Sequence, residues 1–173
     1  MSSFQRQRIT LTWTAAFEFG RTVTGRIPKC HQNSIWQTDN VFVMRVVVVP
    51  ILTRIHKPNI LQHLAALSAD DLWLRFGSPM RQSALENYVN GIDFSSDRAL
   101  GIYDPELKLV GFTHVGIEPA KRCAELGISV SPEYRRRGYA EAMLRRALLH
   151  AAHLDLDQVY GYFRTANLPM MRL

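Results

Sequence analysis

Between Leu126 and Phe163 the chain passes from an apolar strand pattern through a basic, glycine-containing loop into a helix, and then back to a strand pattern. Met143, Leu144, Ala147, Leu148 and Ala151 recur at helical spacing after Gly138, good helix formers fill the gaps, and the pattern ends near Leu154. Val159 to Phe163 then reads as a strand. Strand, helix, strand in that order is the βαβ arrangement of parallel neighbours, so the fold must contain a sheet with a parallel pair and a helix on its face.

Upstream, the patterns are those of antiparallel strands and short helices. Ala99 to Tyr103, the turn Asp104-Pro105-Glu106 and Leu107 to Gly116 read as a hairpin, with Ala124 to Val130 as a third strand beside it. Pro58 suits a first helical turn, and Ile60, Leu61, Leu64 and Leu67 give that helix one apolar face. Ser68 with Asp71 starts another turn. A further helix is expected over Met80 to Asn90, with Leu85, Tyr88 and Val89 inward and Gly91 as its stop. Val46 to Val49, followed by Pro50, Ile51 and Leu52, is a β-branched run of the kind a buried strand uses. The expected class is α/β, a mixed and mostly antiparallel sheet flanked by helices.

The organised domain is expected over residues 44–173. Residues 1–43 show no clear period and are set apart as an N-terminal extension, with an extra strand or arm as the rival reading. A length of 173 residues and 47% hydrophobic composition suffice for one buried core. The net charge of +6 favours an anionic partner, but residues 1–43 carry only +3 of it, so the excess is spread rather than gathered in one patch. Cys30 and Cys123 lie far apart without metal-ligand spacing, which suits two free thiols in a reducing compartment. No run approaches the roughly 18 apolar residues of a membrane span. Thr10, Thr12, Thr14 and Glu18 interrupt any signal-peptide core, and the cytoplasm is the expected location.

The loop before the long helix carries the chemistry. A helix N-terminus offers free N–H groups and the positive end of its dipole, and Gly138 lets backbone approach phosphate oxygens closely. Arg135, Arg136 and Arg137 add charge, although three successive side chains cannot all point one way. Taken alone, such a basic helix start also suits a solvated face or a nucleic-acid contact.

The pattern Arg135-x-x-Gly138-x-Ala140, preceded by Val130-x-Pro132 at a strand end, resembles the acetyl-CoA signature of the GNAT superfamily of N-acetyltransferases. The resemblance runs on through the helix and the strand at Val159 to Asn167-Leu168-Pro169-Met170, which is similar to the asparagine motif opening that family's next helix. It implies the GNAT fold, with the strand before the signature splayed from its parallel neighbour and the thioester arm of acetyl-CoA in the gap. It further implies that the N–H of Ile128 holds the acetyl carbonyl and that of Val130 the pantetheine. Amides of Arg135, Arg136, Arg137, Gly138, Tyr139 and Ala140 would take the pyrophosphate, and Asn167 would join the cofactor site. The family's fold also leads us to expect the rest of a helix and two more strands after Met170. The chain ends at Leu173, so the expectation is a domain whose C-terminal strands are missing, unless the long N-terminal segment takes their place.

Acyl transfer to an amine needs a neutral amine, a polarised thioester carbonyl and a proton for the departing thiolate. Glu125 stands ten residues before Arg135, where some members of the family carry a glutamate base acting directly or through water; a solvent-facing strand glutamate is the alternative. His114, on the preceding strand, is a weaker candidate for proton relay. His150 and His153 have helical spacing but no third ligand nearby, so no metal is expected. Cys123 reads as a packed thiol. Tyr160 and Tyr162 share one face, with core and substrate-cleft roles both open.

The resulting expectation is an N-acetyltransferase that moves an acetyl group from acetyl-CoA to a primary amine of a small molecule or a protein lysine by direct attack. The alternatives are a CoA-binding module of the same fold without turnover, and a nucleic-acid binder using Arg135 to Arg137. Acetyl-CoA and an amine acceptor are the expected partners, without nucleic acid or membrane. The oligomeric state is open, a homodimer included.

Overall fold

The computed structural model describes residues 6–11, 47–154 and 156–164. Six strands form one sheet in the order β1-β6-β5-β4-β3-β2. They are β1 (Arg6–Leu11), β2 (Ile51–Leu52), β3 (Arg98–Tyr103), β4 (Leu109–Glu118), β5 (Cys123–Val130) and β6 (Gln158–Arg164). β5 and β6 are parallel, as the strand–helix–strand order requires, and the other neighbours are antiparallel.

Three short helices cover one face of the sheet: α1 (Lys57–Ala65), α2 (Ala69–Phe76) and α3 (Gln82–Gly91). The other face carries α4 (Tyr139–Ala152). Pro58 lies in the first turn of α1, where its missing N–H costs nothing. Ser68 caps α2 by accepting the Asp71 amide, and Asp70 and Asp71 place negative charge at the positive end of that helix. Ile60, Leu64, Leu85 and Val89 form a core with Phe112 on one side of the sheet. Met143, Ala147 and Ala151 recur every four residues on α4, and the last two pack with Leu100, Val115, Ala124 and Leu126 on the other side. Because the central strands are buried on both faces, they read as apolar runs rather than strict alternation. A bulge where β3 leaves register, between Ile102 and Tyr103, lets Val110 join Ile102 and Met143 while Leu109 faces the helix trio.

Among the described residues of the β-branched run, from Val47 on, only Ile51–Leu52 form a strand, on the sheet edge. Pro50 has no N–H for a ladder, and its carbonyl accepts the Gly101 amide; Val48 is exposed. β1 lies within the segment set apart as an extension, and it pairs with β6 from Arg6↔Arg164 to Leu11↔Val159. Removing residues 1–43 therefore opens β6 as an edge. A chain starting at Met44 is expected to melt at a lower temperature and aggregate more than the full chain, which thermal melts with light scattering will read.

Candidate active site

β5 and β6 run together only at their start. Cys123, Ala124 and Glu125 pair with Gln158, Val159 and Tyr160. Beyond that point β5 stays with β4 as far as Val130↔Gly111, while β6 follows β1. The Ser131 amide donates to the Val110 carbonyl at 2.9 Å. Since backbone groups alternate along a strand, the amides of Ile128 and Val130 turn the other way, toward the gap beside β6. The splay implied by the family resemblance is thus present, with two backbone donors on its β5 side.

The loop that follows is shaped for an anion. Arg136 has φ +59° and Gly138 φ +77°, and Arg137 between them has no positive φ. Alternating handedness of this kind gathers successive N–H groups into a concave nest. Gly138 caps α4 in the left-handed region without any side-chain cap, and a Cβ placed on it would meet no atom within 4 Å. The nest therefore opens outward and leads directly into the positive end of a helix.

Two of the three arginines brace this loop. Arg135 pairs with Asp71 at 2.7 Å and donates from Nε to the Val130 carbonyl at 3.1 Å. Arg137 donates to the Glu133 carbonyl at 2.9 Å and stacks over Tyr134. Tyr134 in turn donates to Asp104 at 2.8 Å. Arg136 is exposed. The gap, the nest and the uncapped helix start fit a pantetheine arm and a pyrophosphate, with backbone as the main donor. Asn167 lies outside the described residues.

On the face covered by α2 and α3, the same stretch of β5 borders a cavity of about 330 Å³. Glu125 lies on its wall, exposed, between Gly116 of β4 and Tyr160 of β6. Tyr160 and Tyr162, whose rings meet edge to face at 5.5 Å, line it too. His114 faces the cavity with both ring nitrogens engaged: Nε2 meets Asp97 at 3.0 Å and Nδ1 meets the Tyr88 hydroxyl at 2.8 Å. The carboxylate requires Nε2 to carry the proton, so Tyr88 donates to Nδ1 and itself accepts from Arg75 Nη2 at 3.1 Å. Burial lowers the His114 pKa, against the raising effect of Asp97, and burial raises that of Tyr88. The result is a one-way hydrogen-bond chain from the Arg75 guanidinium through neutral Tyr88 and His114 to the Asp97 carboxylate, with Asp97 also accepting the Ile117 amide.

Cys123 is a buried thiol. His153 bonds the Leu149 carbonyl through Nδ1, and among the described residues no three ligating side chains gather around it and His150. Among the described residues no helix is long and apolar enough to cross a membrane.

Sequence reasoning singled out Glu125 and His114, but not Arg75, Asp97 or His63. These three come from a helix or loop that the fold lays across β4 and β5, and nothing in their local sequence marks them. His63 is buried beneath the sheet, with Nδ1 at 3.2 Å from the Leu109 carbonyl and Nε2 at 2.9 Å from Ser129 Oγ. The carbonyl fixes the proton on Nδ1, so Ser129 donates to Nε2. Burial pushes the His63 pKa down to about 4, outweighing the carbonyl bond that favours the charged ring. Below its ordinary value of 6.5 the unfolded chain takes up a proton that the folded chain refuses. Stability is then full above about pH 6.5 and falls toward pH 4, by ~3 kcal/mol from this one group. His63→Gln, neutral throughout, is expected to flatten that slope in urea melts taken between pH 7 and 4.

Solved structures share the architecture. The GNAT domain of S. lividans PAT matches with a TM-score of 0.60 at 17% identity, over 72% of this chain and 76% of that one. Spermidine N-acetyltransferase from Vibrio cholerae, solved with CoA and spermine, matches with a TM-score of 0.58 at 22% identity, over 73% and 76%. An acetyltransferase of the GNAT family from Staphylococcus aureus gives 0.53 at 15% identity, over 67% and 73%. No curated protein matches the chain. The model of the acetyltransferase (GNAT) family matches residues 68–173 and runs to the last residue, so it gives no support to the expectation of missing C-terminal strands. Because that match spans more than half of the sequence and contains the splayed strands, the nest and the helix start, the chain belongs to the GNAT family of acetyl-CoA-dependent N-acetyltransferases.

Proposed function

We propose that this protein transfers an acetyl group from acetyl-CoA to a primary amine of a small molecule or a protein lysine by direct attack, with no acyl-enzyme intermediate. The observation that carries this reading is the position of Glu125, at the last β5–β6 pair, where the strands part and the cavity begins. Acetyl-CoA supplies the activated thioester when bound. Ile128 N–H donates to the acetyl oxygen and stabilises the charge that develops there, a role open to a backbone amide whatever its side chain. Val130 N–H holds the pantetheine, the amides from Arg135 to Ala140 hold the pyrophosphate, and Asn167 is assigned to the same site by resemblance. Glu125 takes the proton of the incoming amine, directly or through one water; as the C–N bond forms the C–S bond breaks, and the CoA thiolate leaves and takes its proton from solvent.

A cavity of about 330 Å³ lies at the small end for ligand sites and favours a small amine over a folded protein surface. The test is a mass-spectrometric screen of amines and peptides with acetyl-CoA. Acetylation of any amine, abolished by heat denaturation of the protein, supports the reading. Retention of CoA with no acetylated amine supports a binding module without turnover.

A further inference from the structure

We propose that the acceptor is an amine carrying its own carboxylate, an amino acid or a close derivative, and that Arg75 is the residue that selects it. This rests on the acyl-transfer reading of the site and names its substrate class.

Arg75 comes from α2 and lays its guanidinium flat over Gly127 of β5, where any Cβ would collide with it. Gly127 neighbours Ile128, whose amide faces the splay. Arg75 is held there by Phe76 and Tyr88, whose ring centroids lie 4.8 and 5.9 Å from its central carbon, and by the bond to the Tyr88 hydroxyl. Among the described residues no carboxylate lies within ion-pair distance of this guanidinium, and its Nε is buried without a hydrogen-bond partner. A half-buried cation with no counter-ion is a costly arrangement unless an anion completes it.

The cavity lined by Arg75 is also lined by Glu125. Gly127 and Glu125 lie two residues apart on one face of β5, about 7 Å along the strand. Positive and negative groups at that spacing match a small zwitterion, its carboxylate in the planar fork of Arg75 and its amine at Glu125. The remaining carboxylate on the wall, Glu118, is engaged by Lys121 at 2.7 Å. A polyamine, cationic at every terminus, would meet Arg75 unfavourably.

Calorimetry on the full chain tests this, with and without CoA, using single L-amino acids, the matching C-terminal amides, and spermidine as probes. The expected result is that at least one amino acid binds tenfold or more tightly than its amide, and that Arg75→Gln removes this preference while amide and CoA affinities stay unchanged. Arg75→Lys should restore part of it, since the charge returns without the fork. The proposal is overturned if no amino acid binds in either condition, if amides or spermidine bind as well as amino acids, or if Arg75→Gln weakens acids and amides alike. Loss of CoA binding by the wild-type chain would instead count against the acyl-transfer reading, and the CoA-free titrations still decide the carboxylate preference.

Discussion

Gly138→Asp is expected to weaken CoA binding by about a hundredfold or more, which corresponds to about 2.7 kcal/mol or more. Two effects act together. Gly138 sits at φ +77°, where a side chain adds strain of about 1–2 kcal/mol. A carboxylate there also projects from the mouth of the nest, against the pyrophosphate, at the positive end of α4. Gly138→Ala separates the two, because its Cβ meets nothing within 4 Å and brings strain without charge. Arg146→Ala, on the exposed side of α4, serves as the control. Calorimetry with CoA should rank the affinities as wild type equal to Arg146→Ala, then Gly138→Ala, then Gly138→Asp. Equal affinity for wild type and Gly138→Asp would remove the nest from the cofactor site.

Glu125→Gln is expected to lower kcat about a hundredfold while acetyl-CoA affinity stays near the wild-type value. Glutamine keeps the size and polarity of the side chain but cannot take a proton. Since an amine that is already neutral needs no base, the deficit should shrink as pH rises toward the amine's own pKa. A pH-rate profile of both proteins reads this directly. An unchanged kcat across the range would return Glu125 to a structural role on the cavity wall. The same substitution probes the zwitterion proposal from its other end, because loss of the negative group should weaken the amino acid's amine contact without touching the Arg75 preference for a carboxylate.

How much was legible in advance depended on whether the signal was local. The helix over α4, the hairpin of β3 and β4, and the parallel placement of β5 and β6 all follow from periods and turn residues that neighbours in sequence supply. The β-branched run misled as to extent over Val47 to Val49, because strand propensity cannot see that Pro50 sits at a sheet edge with one carbonyl to offer. Of the arginine triplet, the sequence showed the charge but not its use. Arg135 is committed to Asp71 from a different helix, which only the packing of α2 against β5 brings within reach.

By itself the sequence marked the half of the site proposed for the cofactor. Glycine at a helix start, the strand before it and the helix after it are contiguous, and the nest and the amides facing the splay are backbone features, so chain order alone specifies that geometry. The acceptor half was decided only by tertiary structure. Arg75, Tyr88, His114, Glu125 and Tyr160 come from separate elements, and their shared cavity exists because α2 and α3 pack over the strands just where β5 and β6 part. Charge and hydrogen-bond direction at that point depend on distances across the sheet, which no spacing along the chain encodes.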